Sequence, residues 1–353
     1  MPWSCGIVGL PNAGKSTLFK ALTLLDVTIE SYPFSTIDPN KAVVPLPDQR
    51  LAALAELTQA LKCTPAILEI VDVAGLVKGA SMGEGLGNQF LGHLRDVDLL
   101  IHLVACFDLS DYKSIAVNER IETVEVELCL ADLEVIYRRK QKLEPKLKSG
   151  DRNSSVEMGI LIKAEEFLQQ GLLLRTVNFK TAEFNVLNQL SLLTLKPMLY
   201  VFNLDEVSAA ISDLSLFPKI GPAILLCASL EAELTDLPDD EKIQFIEAFG
   251  LKESRIELLL KECYRILNLA TFYTIKGSEA KAWIVTKGIS VIDAAGKIHT
   301  DMERGFINAE VIPWNVLLAE GSLSKVREKG LSKTEGKNYP VQDGDVLFVR
   351  FRQ

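Results

Sequence analysis

Histidine is scarce, at three in 353 residues, and the six cysteines (Cys5, Cys63, Cys106, Cys129, Cys227 and Cys263) form no C-x-x-C pair. That excludes the usual four-ligand zinc arrangement. With mostly apolar neighbours, the cysteines read as small core residues in a reducing compartment. No apolar run is long enough to cross a bilayer, so no membrane contact is expected. The opening Met1-Pro2-Trp3-Ser4 lacks the basic and then apolar layout of a secretory signal, which points to a cytoplasmic protein. A broad basic excess is missing as well. The net charge of −9 argues against indiscriminate nucleic-acid binding by the whole surface. The tail differs from the rest: residues 271–353 carry a small excess of +2, which leaves room for a polyanionic partner there.

What is present is an ordinary globular composition, 48% hydrophobic and 24% charged, in a chain long enough for more than one domain. Its most informative stretch is Gly9-Leu10-Pro11-Asn12-Ala13-Gly14-Lys15-Ser16-Thr17, placed between an apolar strand pattern at Cys5 to Val8 and a helical pattern from Leu18. This is G-x-x-x-x-G-K-S, a phosphate-binding loop in the strand–turn–helix context that the motif needs. A glycine-rich turn aims the backbone N–H groups of Asn12, Ala13, Gly14, Lys15, Ser16 and Thr17 at phosphate oxygens, helped by the helix N-terminus behind them. Lys15 adds a charge at the β- and γ-phosphates, and Ser16 offers a hydroxyl to Mg²⁺.

Two further segments follow in the order that a nucleotide switch requires. Tyr32 to Asn40 is rich in proline and hydroxyl residues and reads as a loop, with Thr36 the candidate second protein ligand to Mg²⁺ once a γ-phosphate orders it. Leu68 to Gly75 reads as a buried strand ending in D-x-x-G, where Asp72 would support the magnesium shell and the Gly75 N–H would follow the γ-phosphate. Leu76 then stands where Ras-like GTPases hold a water-orienting glutamine, so intrinsic hydrolysis is expected to be slow or to need help. A partner's arginine is one source of help. A potassium ion coordinated by Asn12 is another.

The base end reads from Lys196 to Glu206, a strand running into Asn203-Leu204-Asp205-Glu206. GTP-binding proteins place N-K-x-D there, and its aspartate takes the guanine N1–H and 2-amino group. Leucine in place of lysine and glutamate in place of aspartate spoil that clamp. Adenine fits a site that reads its 6-amino group through Asn203 or a backbone carbonyl such as that of Leu204, with Glu206 and the small-residue loop at Ser229 beside it. Elsewhere, His102 inside an apolar strand reads as a core histidine. Apolar spacing from Ile121 predicts a helical hairpin, with a break near Pro145 and a polar turn at Ser149 to Asn153, a second helix over Val156 to Leu172, and a basic run Arg138-Arg139-Lys140 that reads as a solvated helix face. The tail, with strand candidates at Thr271 to Thr274, Ala282 to Val285 and Val346 to Phe351, fits a small β-grasp fold with an exposed sheet for partner binding.

Taken together, the phosphate loop, Asp72-Val73-Ala74-Gly75-Leu76-Val77-Lys78-Gly79-Ala80-Ser81, Asn203-Leu204-Asp205-Glu206 and the tail segment Ala294 to Ile307 resemble the Obg-like ATPases, also called the YchF family. The resemblance spans nearly the whole chain. It implies a Ras-like α/β nucleotide domain over 1–120 and 195–270, an inserted α-helical hairpin over 121–194 and a TGS domain over 271–353. It further implies a cytoplasmic monomer that hydrolyses ATP in preference to GTP and associates with the ribosome, through its large subunit or the whole particle and with ribosomal RNA as a contact. Some relatives carry a histidine after the strand at Asp98 to Ala105; Phe107 to Glu119 contains none, so that role does not transfer. The competing functional reading is an adaptor, or a GTPase of negligible turnover, that uses bound nucleotide for shape while it holds RNA or protein.

Overall fold

Strand β1, Trp3–Val8, leads through the phosphate loop into helix α1, Lys15–Thr23, whose buried Leu18, Ala21 and Leu22 recur at helical spacing. The computed structural model describes residues 3–23, 40–72, 86–107, 115–235, 237–249 and 254–352. Next come β2, Lys41–Pro45, α2, Gln49–Leu57, β3, Lys62–Thr64, and β4, Ile67–Asp72. Helix α3, Leu86–Arg95, precedes β5, Leu99–Ala105, and then the chain leaves the sheet as a long hairpin of α4, Ile115–Lys148, and α5, Arg152–Gln169, followed by α6, Thr181–Asn188. It returns as β6, Met198–Asn203, and β7, Ala223–Leu226. These strands build a six-stranded sheet in the order β2-β4-β1-β5-β6-β7, with β2 alone antiparallel to its neighbour. The inner strands are covered on both faces, which is why they read as unbroken apolar runs, whereas edge strand β2 alternates exposed and buried residues.

Helices α7, Ala228–Thr235, α8, Asp239–Ala248, and α9, Arg255–Ile266, connect this sheet to a second one. That second sheet is formed by β8, Leu269–Lys276, β9, Glu279–Thr286, β10, Phe306–Pro313, β11, Lys333–Glu335, and β12, Asp345–Phe351. Between them lie α10, Val291–Ile298, α11, Thr300–Arg304, α12, Trp314–Glu320, and α13, Leu323–Glu328. Hairpin β8–β9 has β12 parallel beside β8, then β10 and β11, which is the β-grasp arrangement. The strand candidates of the tail all lie within it, with β10 and the helices added.

Three expectations are corrected here. The second sheet is not exposed. On one face Phe272, Val285 and Leu347 pack on Val291, Ala294 and Ala295 of α10, and on the other Tyr273, Ala282 and Val346 share one core with Leu51 and Leu54 of α2, Leu317 of α12 and Ile7 and Leu18 of the nucleotide region. Helix α4 does not break at Pro145: the proline stands in the last turn, where it removes one backbone bond and little helix remains to be lost, and the chain turns at Ser149-Gly150, within the polar segment expected to turn. Cys63 on β3 is exposed, while the other five cysteines are buried. The basic run of α4 is ion-paired, Arg139 to Glu157 and Lys140 to Glu165 at 2.6 Å each across the hairpin and Arg138 to Glu134 along the helix. No helix among the described residues is long and apolar enough to cross a membrane.

The two sheets are physically joined. Strand β3 leaves the nucleotide half of the sequence and pairs parallel with β9, Lys62 to Glu279 through Thr64 to Lys281, with the Thr64 hydroxyl donating to Glu279 at 2.7 Å. Beside it Arg50 of α2 donates to Asp48 through Nε at 2.9 Å and to Asp343 through Nη1 at 2.6 Å. The hydroxyl of Tyr273 donates to Asp48 at 2.5 Å and that of Tyr264 to Asp343 at 3.0 Å. Cutting the chain at residue 270 would therefore open a common core, so truncation cannot isolate the tail's role. Arg50→Ala is expected to lower the unfolding free energy by about 2 kcal/mol, because it strands two partly buried carboxylates. Urea denaturation checks this, and an unchanged midpoint would reduce the network to a weightless surface ion pair.

Candidate functional site

The phosphate loop is shaped by close approaches that only glycine permits. A Cβ on Gly9 would stand 2.5 Å from the Leu103 carbonyl oxygen, and one on Gly14, which has φ +93°, would stand 2.4 Å from Asn203 Nδ2. Asn12 takes the left-handed conformation at φ 61°, one that asparagine tolerates better than most residues. Ala13 is buried, and Asn12, Ser16 and Thr17 are exposed. Lys15 folds back over the loop and donates to the carbonyls of Gly9 at 3.1 Å and Leu10 at 2.7 Å. Burial lowers its pKa, and the Asp72 carboxylate partly restores it.

Asp72 ends β4, opposite Ile7 of β1, so the sheet register delivers it beside the loop. Burial raises its carboxyl pKa and Lys15 works against that rise. Its Oδ1 is buried and, among the described residues, accepts no hydrogen bond. An orphaned carboxylate oxygen is costly in a protein interior and is the donor type that a hard divalent cation takes. Together with the exposed Ser16 hydroxyl, this donor set fits Mg²⁺. Thr36, Gly75 and Leu76 lie outside the described residues.

At the base end, Asn203 closes β6 with its amide buried. Nδ2 donates to the Ala13 carbonyl at 2.9 Å and Oδ1 accepts from the Ala228 N–H at 2.9 Å. The oxygen that would take an adenine amino group is therefore already engaged, and Asn203 works as a tie between the phosphate loop and α7. The Leu204 side chain is buried and its N–H donates to the Leu226 carbonyl at 2.8 Å. Asp205 caps its own turn by accepting from the Ser208 N–H at 2.7 Å. Glu206 accepts from the Ser229 hydroxyl at 3.2 Å on the exposed rim. The expected residues thus form two groups, Lys15 with Asp72 and the loop, and Asn203 to Glu206 with Ser229, bridged by the Asn203 amide.

Two neighbours were missed by sequence reasoning. Phe107, 39% exposed just past β5, and Arg120 of α4 line a hollow of about 200 Å³ with Leu10, Pro11 and Asn12. An aromatic directly after a strand that aligns Ala105 with Asn203 was a signal that could have been read. Arg120 carried none, because nothing local in the sequence says where a helix fifteen residues past β5 will lean. His102 is buried, as its apolar surroundings suggested, and burial with the charge of Arg175 depresses its pKa to about 3, so it is a neutral core residue.

Residues 4–139 match the family model described as a 50S ribosome-binding GTPase, and residues 269–352 match YchF-GTPase_C, described as a protein of unknown function. Across 99% of its length the chain is 42% identical to the ribosome-binding ATPase YchF of Haemophilus ducreyi, covering 99% of that protein. It is 41% identical, again over 99% of its length, to the ribosome-binding ATPase YchF of Bacillus subtilis, covering all of it. The chain belongs to the YchF family. The solved YchF GTPase of Schizosaccharomyces pombe superposes with a TM-score of 0.86 at 29% identity, with 99% of this chain and 97% of that one covered. A GTP-binding protein of Pyrococcus horikoshii, 20% identical with a TM-score of 0.58 over 99% of this chain and all of its own, shares the fold. These YchF relatives are named ATPase in two cases and GTPase in the third.

In this YchF chain the charge on Asp72 costs stability while the site is empty, because its folded pKa is raised and the neutral form is the one favoured. Asp72→Asn is accordingly expected to raise the melting temperature of the nucleotide-free protein while abolishing magnesium-dependent tightening of nucleotide binding. Calorimetry without nucleotide and a magnesium titration with it check the two halves, and a lower melting temperature in the variant would refute the first.

Proposed function

We propose that this protein is an ATP-hydrolysing switch, selective for ATP over GTP, that associates with the ribosome as a translation-linked or stress-linked regulator. The observation that carries the base preference is the state of Asn203-Leu204-Asp205-Glu206. No lysine is present to cover the base, Asp205 is spent on the Ser208 turn, and the acid in the guanine-reading position is the longer Glu206, tied to Ser229. A guanine edge would meet no well-placed carboxylate, whereas adenine presents none of the donors that need one. The Leu204 carbonyl is the group offered to an adenine ring. The catalytic half rests on Lys15, which brings a buried charge to the β- and γ-phosphates, and on the backbone N–H groups from Asn12 to Thr17.

Ser16 and Asp72, with Thr36 arriving when a γ-phosphate is bound, are the residues that would hold Mg²⁺; the ion's chemistry is to neutralise charge on the phosphate oxygens. The Gly75 N–H follows the γ-phosphate and so signals its loss. Leu76 orients no water, which makes intrinsic turnover slow and gives a partner its point of control. Asn12, exposed and left-handed in the loop, is the candidate ligand for an activating potassium ion. Ribosome association is supported by the names of the relatives that match end to end. Its contact surface would include ribosomal RNA, on the large subunit or the whole particle, and the protein acts as a monomer in the cytoplasm. The slight positive excess of residues 271–353 favours such a partner.

Titration with both nucleotides is expected to show ATP binding at least tenfold more tightly than GTP, the order of effect for about 1–3 kcal/mol of lost hydrogen bonding at a buried polar edge. Equal or reversed affinities would overturn the base reading. Multiple-turnover phosphate release is expected to be slow for the protein alone, faster with ribosomes, and faster in KCl than in NaCl at equal ionic strength, with the salt preference abolished in Asn12→Ala. No release under any condition would favour the adaptor reading. A salt preference unchanged by the substitution would remove Asn12 from the mechanism.

A further inference from the structure

One end of the second sheet stays open to solvent. Helix α10 covers the Phe272 and Val285 end of one face, but toward the β8–β9 turn, on that same face, Lys62 and Lys276 are exposed and Thr274, Lys281 and Trp283 are partly so. Strand register fixes the layout. Trp283 lies opposite Phe272, Lys281 opposite Thr274 and Thr64, and Glu279 opposite Lys276 and Lys62. The Lys281 ammonium sits over the Trp283 ring, 4.1 Å from its centroid, and the indole N–H donates to the Thr274 hydroxyl at 2.9 Å. Glu279 is the one carboxylate within β3, β8 and β9. It is engaged, accepting from the Thr64 hydroxyl at 2.7 Å and lying 3.5 Å from Lys62 Nζ. Three lysines against one engaged acid leave these strands with a positive surface around an aromatic ring.

We infer that this face is a platform for single-stranded RNA, on which a base stacks against Trp283 while Lys62, Lys276 and Lys281 take the flanking phosphates; it rests on the ribosome reading above and gives that reading a surface. Every base has a π-face, so stacking on an indole accepts any sequence, and lysines along the backbone add affinity that falls with salt. A single strand is required because a base reaches the ring only when it is splayed out of a helix. Lys281 is the side chain that changes partner. Over the ring it makes a cation–π contact, which is weak where water competes. A phosphate oxygen is the stronger, charged partner, and moving to it uncovers the ring for the base. The ring is already held in place, with the fully buried Phe272 lying parallel to it at 6.3 Å. Because Lys62 comes from β3, the platform is shared between the two halves of the sequence, and the basic excess of residues 271–353 understates it. The competing occupant is an acidic protein segment, which would use the lysines and have no need of the ring.

The test uses the full-length protein saturated with MgADP, so that the nucleotide site is closed to the probe. Parent, Trp283→Phe, Trp283→Ala and the double variant Lys62→Ala with Lys276→Ala are titrated with a ten-nucleotide oligouridylate and with polyglutamate, and each is sedimented with ribosomes. Oligouridylate is expected to quench the parent's tryptophan fluorescence, and the quench to vanish in Trp283→Phe, which keeps Trp3 and Trp314. Trp283→Ala is expected to bind the RNA about tenfold more weakly. The lysine pair is expected to lower the salt slope by about 1.4, at about 0.7 for each single-strand phosphate contact, with the parent's melting temperature and ATP affinity. Ribosome co-sedimentation is expected to fall in Trp283→Ala and in the lysine pair. Should Trp283→Ala fail to fold, Trp283→Phe and the lysine pair still decide. No RNA binding by the parent, a quench that survives in Trp283→Phe, or polyglutamate bound as tightly as RNA overturns the inference. Variants that sediment like the parent also overturn it and leave the ribosome reading standing. A parent that binds the RNA through Trp283 yet does not sediment with ribosomes overturns the ribosome reading and leaves the platform.

Discussion

A buried lysine at the start of α1 and a half-buried carboxylate at the end of β4 set the terms for the rest of the nucleotide site. Burial lowers the proton affinity of Lys15 and raises that of Asp72, and each opposes the shift of the other. Among the described residues Lys15 donates to loop carbonyls alone, and one oxygen of Asp72 accepts nothing. A site in this condition favours whatever brings negative phosphate to the lysine and positive charge to the carboxylate. The glycines at 9 and 14 and the Asn203 amide hold the loop in the shape where this can happen, so the stability cost of the empty site is inseparable from its affinity for a charged ligand.

That frame is not confined to one sheet. β4, which ends at Asp72, pairs with β2, and the chain between them makes the excursion through α2 and β3 that the second sheet grips. Tyr273 and Ala282 of the second sheet lie in one apolar core with Ile7, Leu18 and Leu54, so the nucleotide region and the tail bury each other's surface. An Arg50 that touches both Asp48 and Asp343 spans 293 residues of sequence and adds direction to what apolar packing leaves unspecific. A change of register at β2 or β4 would therefore be felt in β3 and so at β9, without any separate transmitting element.

Where sequence reading succeeded, the information was local. The phosphate loop could be read because its glycines, lysine and serine stand within eight residues. The strands on either side could be read because burial on both faces forces an unbroken apolar run. Asp72 followed from its place at a strand end. Where reading failed, the determining partner was distant or the element too short to show a period. β3 is three residues, Lys62-Cys63-Thr64, and no alternation can be seen in three. The engagement of Asn203 Oδ1 depends on Ala228, twenty-five residues on, so the asparagine resembled a base reader when its amide is a structural tie. Pro145 misled for a different reason, since a proline's cost depends on how much helix lies beyond it. The exposed sheet expected in the tail was a composition argument, and the helices α2, α12 and α13 that cover one face come partly from the opposite end of the chain.

Helix α4 offers a physical route from the periphery to the nucleotide. It runs for 34 residues, about 50 Å at 1.5 Å per residue, without interruption. Its first turns are embedded against β1 and β5, and its far end is stiffened by Arg139–Glu157 and Lys140–Glu165 bridges to α5. Midway, the fully buried Asp132 accepts from Arg95 of α3 at 3.0 Å and from the Leu193 and Thr194 N–H groups at 3.0 and 2.7 Å, so α4, α3 and the turn that precedes β6 are latched at one point. The hairpin is thereby held at its root and braced at its middle.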